Sequence, residues 1–149
     1  MTATVRRPEL RDAVSALGAE VVDPGDFVDA GPFDVVLELI GAPNLEGDLE
    51  ALAIDGRLTV IGVGGGVKAE LNLLALMGKR LRVMSSTLRS RPLEEKAVAA
   101  RGVERHVSPL VAAGAVRVPV SETFPLDEVA AAYERFEAGG KLGKIVVLT

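Results

Sequence analysis

The chain has 149 residues and a formal net charge of −4, with 48% hydrophobic but only 3% aromatic residues. A charge this mild gives no argument for nucleic acid or an anionic membrane as a partner. The sequence has no cysteine and a single histidine, His106, which excludes disulfides and thiolate zinc sites. Because so few residues are aromatic, we expect an aliphatic core. The first ten residues lack the apolar segment of a signal peptide, so we expect a cytoplasmic protein.

Short aliphatic segments alternate with helical segments along the chain. In chain order, the patterns predict a strand at 2–5, a helix at 8–17, strands at 20–22 and 33–40, a helix at 44–52, a strand at 57–62, a helix at 71–77, a strand at 80–85, a helix at 92–113, an extended segment at 116–120, a helix at 125–138 and a strand at 145–148.

The strongest strand signal is FDVVLELI at 33–40, a nearly continuous apolar run typical of a strand covered on both faces. Asn44 predicts the N-terminal cap of the helix that follows, and Asp55-Gly56 predicts a turn. The alternation of strands and helices implies right-handed crossovers. It therefore predicts an α/β fold with a doubly wound, mainly parallel, Rossmann-like sheet.

A glycine-rich loop at 63–67 follows the strand predicted at 57–62. Gly62 and Gly64 fit the first two positions of the dinucleotide fingerprint G-x-G-x-x-G, but Val67 occupies the third. The loop is therefore not a pyrophosphate loop. It still lies at the carboxyl end of a strand, where open α/β sheets bind ligands. A flexible loop without a ligand is the alternative interpretation.

Three segments carry a resemblance to a known family: FDVVLELIGAPNLEGDLEALAIDGRLTVIG, KRLRVMSSTLRSRPLEEK and AYERFEAGGKLGKIVVLT. Their order and spacing resemble the zinc-free medium-chain dehydrogenases/reductases, specifically the NADPH:quinone oxidoreductases. The resemblance extends over nearly the whole chain.

In that family, a GroES-like catalytic domain precedes a dinucleotide-binding domain. The resemblance implies that residues 1–149 form a single, partial dinucleotide-binding domain, within which 117–149 returns toward the catalytic domain. Residues 2–5 would be the second strand of the cofactor domain, so its first strand and glycine-loop turn are missing from this chain. The predicted Rossmann-like sheet is therefore incomplete.

Arginines follow the strand predicted at 2–5, where the family places the adenosine ribose of the cofactor. NAD enzymes usually hold the ribose with an acidic residue there, whereas this chain has Arg6, Arg7 and Arg11. Guanidinium groups suit a 2′-phosphate through paired, charge-assisted hydrogen bonds, which favours NADPH. The alternative is three exposed arginines at the start of a helix, although the helix dipole disfavours cations there.

The resemblance also implies residues at the nicotinamide end of the cofactor. These are Ile40, Gly41, Ala42, Gly62, Val63, Gly64, Thr87, Leu88 and Arg89. Arg91 is more readily interpreted as a solvated charge at a helix start, and Lys144 either approaches the cofactor or is a surface lysine. Hydride transfer needs mainly positioning, so no catalytic side chain is nominated, and no metal ligand either.

The expected function is that of an NADPH-binding domain in an oxidoreductase that reduces a quinone, enone or related carbonyl acceptor. Without the glycine turn, the chain alone should bind NADPH weakly and be catalytically incomplete. The alternative is a non-catalytic remnant that acts as a dimerisation or partner-binding module. A missing central strand leaves apolar strand edges, which predicts a homodimer, with exchange of the C-terminal helix and strand as one route.

Overall fold

The computed structural model describes residues 1–149 and divides into two compact units. The first unit comprises Met1, Arg7–Val21 and Pro92–Thr149, and the second comprises Thr2–Arg6 and Val22–Arg91.

Seven strands and six α-helices make up the chain. The strands are Thr2–Thr4 (β1), Glu20–Val22 (β2), Phe33–Glu38 (β3), Leu52–Val60 (β4), Arg82–Ser85 (β5), Val120–Pro125 (β6) and Lys144–Leu148 (β7). The helices are Arg11–Ser15 (α1), Leu45–Ala51 (α2), Leu73–Gly78 (α3), Leu93–His106 (α4), Ser108–Ala112 (α5) and Val129–Glu137 (α6). Short 3-10 helices at Pro8–Leu10, Ala42–Asn44 and Leu126–Glu128 precede α1, α2 and α6. No helix combines the length and the apolar character that crossing a membrane requires.

The strands confirm the predicted Rossmann-like α/β class. β3, β4 and β5 form a parallel sheet in that order, and β6 pairs with β7 in parallel. β1 pairs with β2, so the hydrogen-bonded strands form three sheets instead of one continuous sheet. Neither β1 nor β7 pairs with β3, and the outer edge of β3 therefore has no partner strand.

The core of the second unit lies on one face of the β3-β4-β5 sheet. Leu52 and Leu58 of β4 are fully buried, and Leu49 of α2 and Leu81 before β5 pack with them. Val36 of β3 and Leu76 of α3 are partly buried against this cluster. Burying a leucine side chain contributes about 1.5–3 kcal/mol, so this aliphatic cluster fixes the sheet to α2 and α3.

The opposite face of the same sheet is uncovered within the second unit. Val35 and Leu37 alternate with the buried positions of β3 and are 52% and 58% exposed. Met84 of β5 shares their face and is 48% exposed. The prediction that 33–40 is covered on both faces is therefore wrong for this chain, because only the face toward α2 and α3 is packed.

The first unit contains a β-α-β arrangement built from β6, α6 and β7. Helix α6 contacts both strands and buries Ala132 against them. Arg135 of α6 donates to the Glu122 carboxylate of β6 and, at 2.9 Å, to the carbonyl oxygen of Gly139. β7 thus completes a sheet with β6 of the same chain.

β4 begins five residues earlier than the predicted strand. Its register with β3 shifts, because Leu52 pairs with Phe33 but Arg57 pairs with Val35. The extra residues form a bulge in which Asp55 has a φ of 63°. The turn signal Asp55-Gly56 thus marks a bulge inside a strand, which is an established use of such residues.

Two further predictions differ from the structure in the C-terminal half. The helix predicted at 92–113 is two helices, α4 and α5, because Pro109 lies in the first turn of α5 and cannot continue an existing helix. The segment predicted as extended at 116–120 becomes strand β6 only at Val120–Pro125. The position of β6 is set by its pairing with β7, and local strand propensity does not predict such tertiary pairing.

Candidate functional site

Two loops follow neighbouring parallel strands of the second unit. The β3 loop, residues 39–44, follows β3, and the glycine loop, residues 61–67, follows β4. Because β3 and β4 are parallel and adjacent, both loops emerge at the carboxyl edge of the same sheet. This is the edge at which open α/β sheets bind ligands.

Backbone hydrogen bonds join the two loops. The carbonyl oxygen of Ile40 accepts from Gly65 N–H at 2.8 Å, and Ala42 N–H donates to the carbonyl oxygen of Gly66 at 3.0 Å. Gly41 and Gly66 form an isolated parallel bridge. The structure therefore brings the residues predicted at 40–42 and 62–64 together in one hydrogen-bonded pair of loops, which we call the double loop.

Glycines are required where the loops approach each other. A Cβ on Gly62 would overlap the carbonyl oxygen of Leu39, and a Cβ on Gly41 would lie 2.6 Å from the carbonyl oxygen of Gly66. Gly41 also has a φ of 101°, which favours glycine. Gly64 differs, because a Cβ there would meet no atom within 4 Å. Gly64 thus faces open space, whereas Gly62 and Gly41 make the loop contact possible.

The apolar side chains at this edge are only half-covered. Ile40 is 49% exposed and Val63 is 48% exposed, while Leu39 and Ile61 before them are 56% and 49% exposed. A flat ring could pack against such side chains without displacing any charged group. Such a surface suits a flat apolar ring better than a phosphate.

Glu38, the last residue of β3, accepts hydrogen bonds from both loops of the double loop. Its side chain is 4% exposed, and its carboxylate accepts from the N–H groups of Ile40 and Gly41, the latter at 2.6 Å. Its backbone carbonyl accepts from Ile61 N–H at 2.9 Å and Gly62 N–H at 3.2 Å. A single residue therefore holds both loops.

Asp48 of α2 lies against Glu38 and forms a side-chain hydrogen bond with it. Burial, together with the charge of Glu38 and this hydrogen bond, raises the pKa of Asp48 to about 7. Burial also acts to raise the pKa of Glu38, but hydrogen bonds from Gly41, Asn44, Ile40 and Asp48 outweigh it and lower that pKa. Glu38 is the ionised partner, and Asp48 holds the proton.

Sequence reasoning missed Glu38 and Asp48 and misassigned Asn44. Asn44 makes no side-chain capping bond to α2. Its Nδ2 donates to Glu38 Oε2 at 3.0 Å instead. The available signal was Glu38, which stands between the apolar residues of VVL and LI in FDVVLELI, since a buried carboxylate needs nearby donors.

The segment after β5 contains the remaining nicotinamide-side candidates, Thr87, Leu88 and Arg89, all of them exposed. Ser86 N–H donates to the carbonyl oxygen of Val60 at 3.2 Å, which ties the start of the segment to the end of β4. Arg91 donates to the carbonyl oxygen of Thr87 at 3.1 Å and to Ser86 Oγ at 3.0 Å. Arg91 therefore braces this segment and is not simply a solvated charge.

The three arginines proposed for the adenosine end are split between the units. Arg6 belongs to the second unit, is exposed and makes no ion pair. Arg7 and Arg11 belong to the first unit. Arg7 Nη1 lies 3.6 Å from Glu9 Oε1, and the Arg7 guanidinium rests where a Cβ of Gly140 would stand. Lys144, at the start of β7, is exposed.

His106 lies on α4 and lines a shallow depression formed by that one helix. None of the predicted cofactor residues lines it. No group of three or more His, Cys, Asp or Glu side chains could hold a metal ion. A chain with no cysteine and one histidine lacks the donor set of a zinc site.

Comparisons with known proteins agree with this architecture. A family model described as "zinc-binding dehydrogenase" matches residues 17–147. A quinone oxidoreductase from Lama guanicoe is 31% identical over 116 residues, which are 77% of this chain and 33% of that protein. The chain thus spans about a third of the length of this curated relative.

Solved structures give the same result. A thermostable alcohol dehydrogenase from Pyrobaculum aerophilum has a TM-score of 0.79 and 26% identity, covering 99% of this chain and 42% of that one. A putative alcohol dehydrogenase from Sinorhizobium meliloti has a TM-score of 0.75 and 28% identity, covering 99% and 40%. A mycobacterial quinone oxidoreductase, at 22% identity and a TM-score of 0.79 over 98% and 48%, shares the fold.

Proposed function

Because the chain belongs to the zinc-binding dehydrogenase family, we propose that it is the NADPH-binding part of an oxidoreductase. The acceptor would be a quinone, an enone or a related carbonyl compound. The observation that carries the proposal is the double loop, in which Gly41 and Gly62 permit close backbone contact and Gly64 faces open space. Residues outside these 149 would complete the enzyme.

The double loop would bind the nicotinamide end and orient the ring. When bound, the nicotinamide supplies the hydride, and the protein supplies position and surroundings. Ile40 and Val63 would pack against the ring and exclude water from one side of it, as their half-exposed side chains allow. Gly64 would let the ribose or ring approach the backbone closely.

The adenosine end is assigned to Arg6, Arg7 and Arg11. Their guanidinium groups suit a 2′-phosphate, which carries the charge that distinguishes NADPH from NADH. Arg7 keeps a half-exposed side chain, and Arg6 has no competing ion pair, so both have donors to offer. Thr87, Leu88 and Arg89 are assigned to the nicotinamide side through their place after β5.

A glycine pair tests the proposed site. We expect Gly64→Ala to leave the free energy of unfolding near that of the wild type, because its Cβ meets no atom. The same methyl group would enter the cofactor space and weaken NADPH binding about tenfold, comparable to one lost contact of about 1.4 kcal/mol. Titration followed by NMR measures the affinity, and urea unfolding measures the stability.

Gly62→Ala is the matched variant, because its Cβ would overlap the Leu39 carbonyl and force the loops apart. It should lose both stability and NADPH binding. Unchanged NADPH affinity in the stable Gly64→Ala variant would contradict the proposed location of the cofactor.

A second candidate function is that of a dimerisation or partner-binding module. The outer edge of β3 has no partner strand, and Val35 and Leu37 beside it are half-exposed. Such an edge is a template for pairing with another chain. We propose a homodimer in which two β3 edges pair.

Light scattering tests this assembly directly. We expect the mass of a dimer at micromolar concentration, and a monomer mass for Leu37→Lys, because the added charge would lie beside apolar side chains of the partner's β3 strand. Leu74→Lys on α3 is the control, because Leu74 is already 78% exposed and lies on another element. A monomeric wild-type chain, or a Leu37→Lys variant that stays dimeric, would rule out this interface.

A further inference from the structure

Glu38 and Asp48 form a buried carboxylate–carboxyl pair beneath the double loop. Glu38 is 4% exposed and Asp48 is 2% exposed. The buried Oδ2 atom of Asp48 accepts no hydrogen bond. Burying an ionised carboxylate is costly unless hydrogen bonds or an opposite charge compensate for the lost water.

No cation neutralises this pair. Lys79, which follows α3, donates its Nζ hydrogens to the carbonyl oxygens of Leu49, Glu50 and Leu52. Arg80 forms its ion pair with Asp55 of the β4 bulge. The negative charge of Glu38 is therefore balanced by hydrogen bonds alone, from the β3 loop, from Asn44 and from Asp48.

The hydrogen bonds that Glu38 accepts constrain the backbone conformation of the β3 loop. Both backbone N–H groups reach the same oxygen, Oε1, and Asn44 reaches Oε2. Turning these two N–H groups inward fixes the peptide planes of Ile40 and Gly41. The carbonyl oxygen of Ile40 is then aimed at Gly65 N–H in the glycine loop.

We propose that Glu38 is a positioning residue for the nicotinamide end of the cofactor and that Asp48, buried beside it on α2, acts through it. Glu38 touches no cofactor atom in this account. It sets the distance and orientation between the β3 loop and the glycine loop, which form the binding surface. The inference rests on the proposed function, because it assigns the double loop to the nicotinamide.

Three variants separate charge, shape and hydrogen bonding. Glu38→Gln keeps an oxygen for the backbone donors but presents an amide to Asn44 and Asp48, so the support is partly lost. Asp48→Asn keeps a donor toward Glu38 and should behave like the wild type, whereas Asp48→Ala removes that donor. Glu46→Gln, on the exposed side of α2, is the matched control for loss of a carboxylate.

The experiment compares two ligands on the full chain by NMR titration. NADPH contains both ends of the cofactor, and 2′,5′-ADP contains only the adenosine end. We expect Glu38→Gln and Asp48→Ala to weaken NADPH binding about tenfold and to leave 2′,5′-ADP binding within about twofold, on the scale of one lost interaction. Asp48→Asn and Glu46→Gln should match the wild type with both ligands.

The outcomes distinguish the two claims. If the wild-type chain binds 2′,5′-ADP but gains nothing from the nicotinamide end of NADPH, or binds neither, the proposed function fails and the inference fails with it. If the wild type binds NADPH and Glu38→Gln binds it equally well, only the inference is overturned. Equal weakening of both ligands would show general loss of structure, and would also overturn it.

Amide hydrogen exchange tests directly whether Glu38 holds the two loops in place. Glu38→Gln should accelerate exchange at Gly41, Ala42 and Gly65, while amides in the centre of β4 keep their wild-type protection. Unchanged exchange in the two loops would contradict the positioning role independently of any ligand.

Discussion

At the scale of single residues, the most consequential one is a carboxyl group that no sequence pattern singled out. Asp48 is buried on α2, and burial beside the charge of Glu38 raises its pKa to about 7. In the unfolded chain, the same group titrates near the usual value for aspartate, about 3.9. Between these two values, the folded state holds a proton that the unfolded state has released.

This difference predicts how stability depends on pH. Linkage requires the free energy of unfolding to fall as pH rises from about 4 through about 7, because the folded state binds more protons there. The loss should be on the order of 3 kcal/mol. Glu38 has a lowered pKa, so its contribution is present above the usual pKa of glutamate and is lost as pH falls through the lowered value, at the acidic end of this range and below it.

Asp48→Asn isolates the effect, because asparagine does not titrate and still donates toward Glu38. Urea unfolding between about pH 5 and about pH 8 should show a falling stability for the wild type and a nearly constant one for the variant. Above neutral pH, the variant should be the more stable protein. Parallel curves for the two proteins would mean that Asp48 is not the titrating group.

The site residues illustrate what a sequence can predict. Gly41, Gly62 and Gly64 were assigned to one site, and the structure joins their loops by hydrogen bonds. Glu38 and Asn44 were not assigned to it, because their contact depends on the conformation of 39–44. The sequence showed that an acidic residue interrupts an apolar run, but not which donors would surround it.

At the scale of elements, two residues in the left-handed region join the bulge of β4 to the segment before β5. Asp55 has a φ of 63° and Arg80 a φ of 52°, and both are exposed. Arg80 donates to both carboxylate oxygens of Asp55, at 3.0 and 2.9 Å. The ion pair lowers the pKa of Asp55 and connects the bulge to the segment before β5.

Two substitutions at Arg80 separate the ion pair from the backbone strain. Arg80→Ala removes the ion pair and keeps a Cβ in the left-handed region, whereas Arg80→Gly removes both the pair and the Cβ. Since only glycine adopts this conformation without strain, Arg80→Gly should have the higher melting temperature of the two. Differential scanning calorimetry measures the difference, and the reverse order would show that the strain is unimportant.

Element boundaries were predictable where local chemistry decides them. The helix predicted at 8–17 is the 3-10 helix Pro8–Leu10 followed by α1, and Glu20–Val22 is a strand as predicted. β6 was predicted too early, because its register is set by pairing with β7. Asp55-Gly56 was predicted as a turn between elements. The same pair of residues is typical of a bulge within a strand, so the sequence does not distinguish the two.

At the scale of the whole chain, the proposed cofactor-binding role concerns only part of the length of the relatives. The chain spans 40–48% of the solved relatives described above. It contains no G-x-G-x-x-G turn, so no helix N-terminus of that motif holds the pyrophosphate. We therefore expect the 149 residues to bind NADPH weakly. Any preference for NADPH over NADH should come mainly from Arg6, Arg7 and Arg11.

The most direct measurement is an NMR titration of the labelled 149-residue chain with NADPH and, separately, with NADH. We expect NADPH to shift the amide signals of 40–42 and 62–64 at millimolar concentration, and NADH to bind more weakly because it lacks the 2′-phosphate. Shifts confined to other residues, or no shifts in the two loops at saturating NADPH, would contradict the assignment of this double loop to the nicotinamide cofactor.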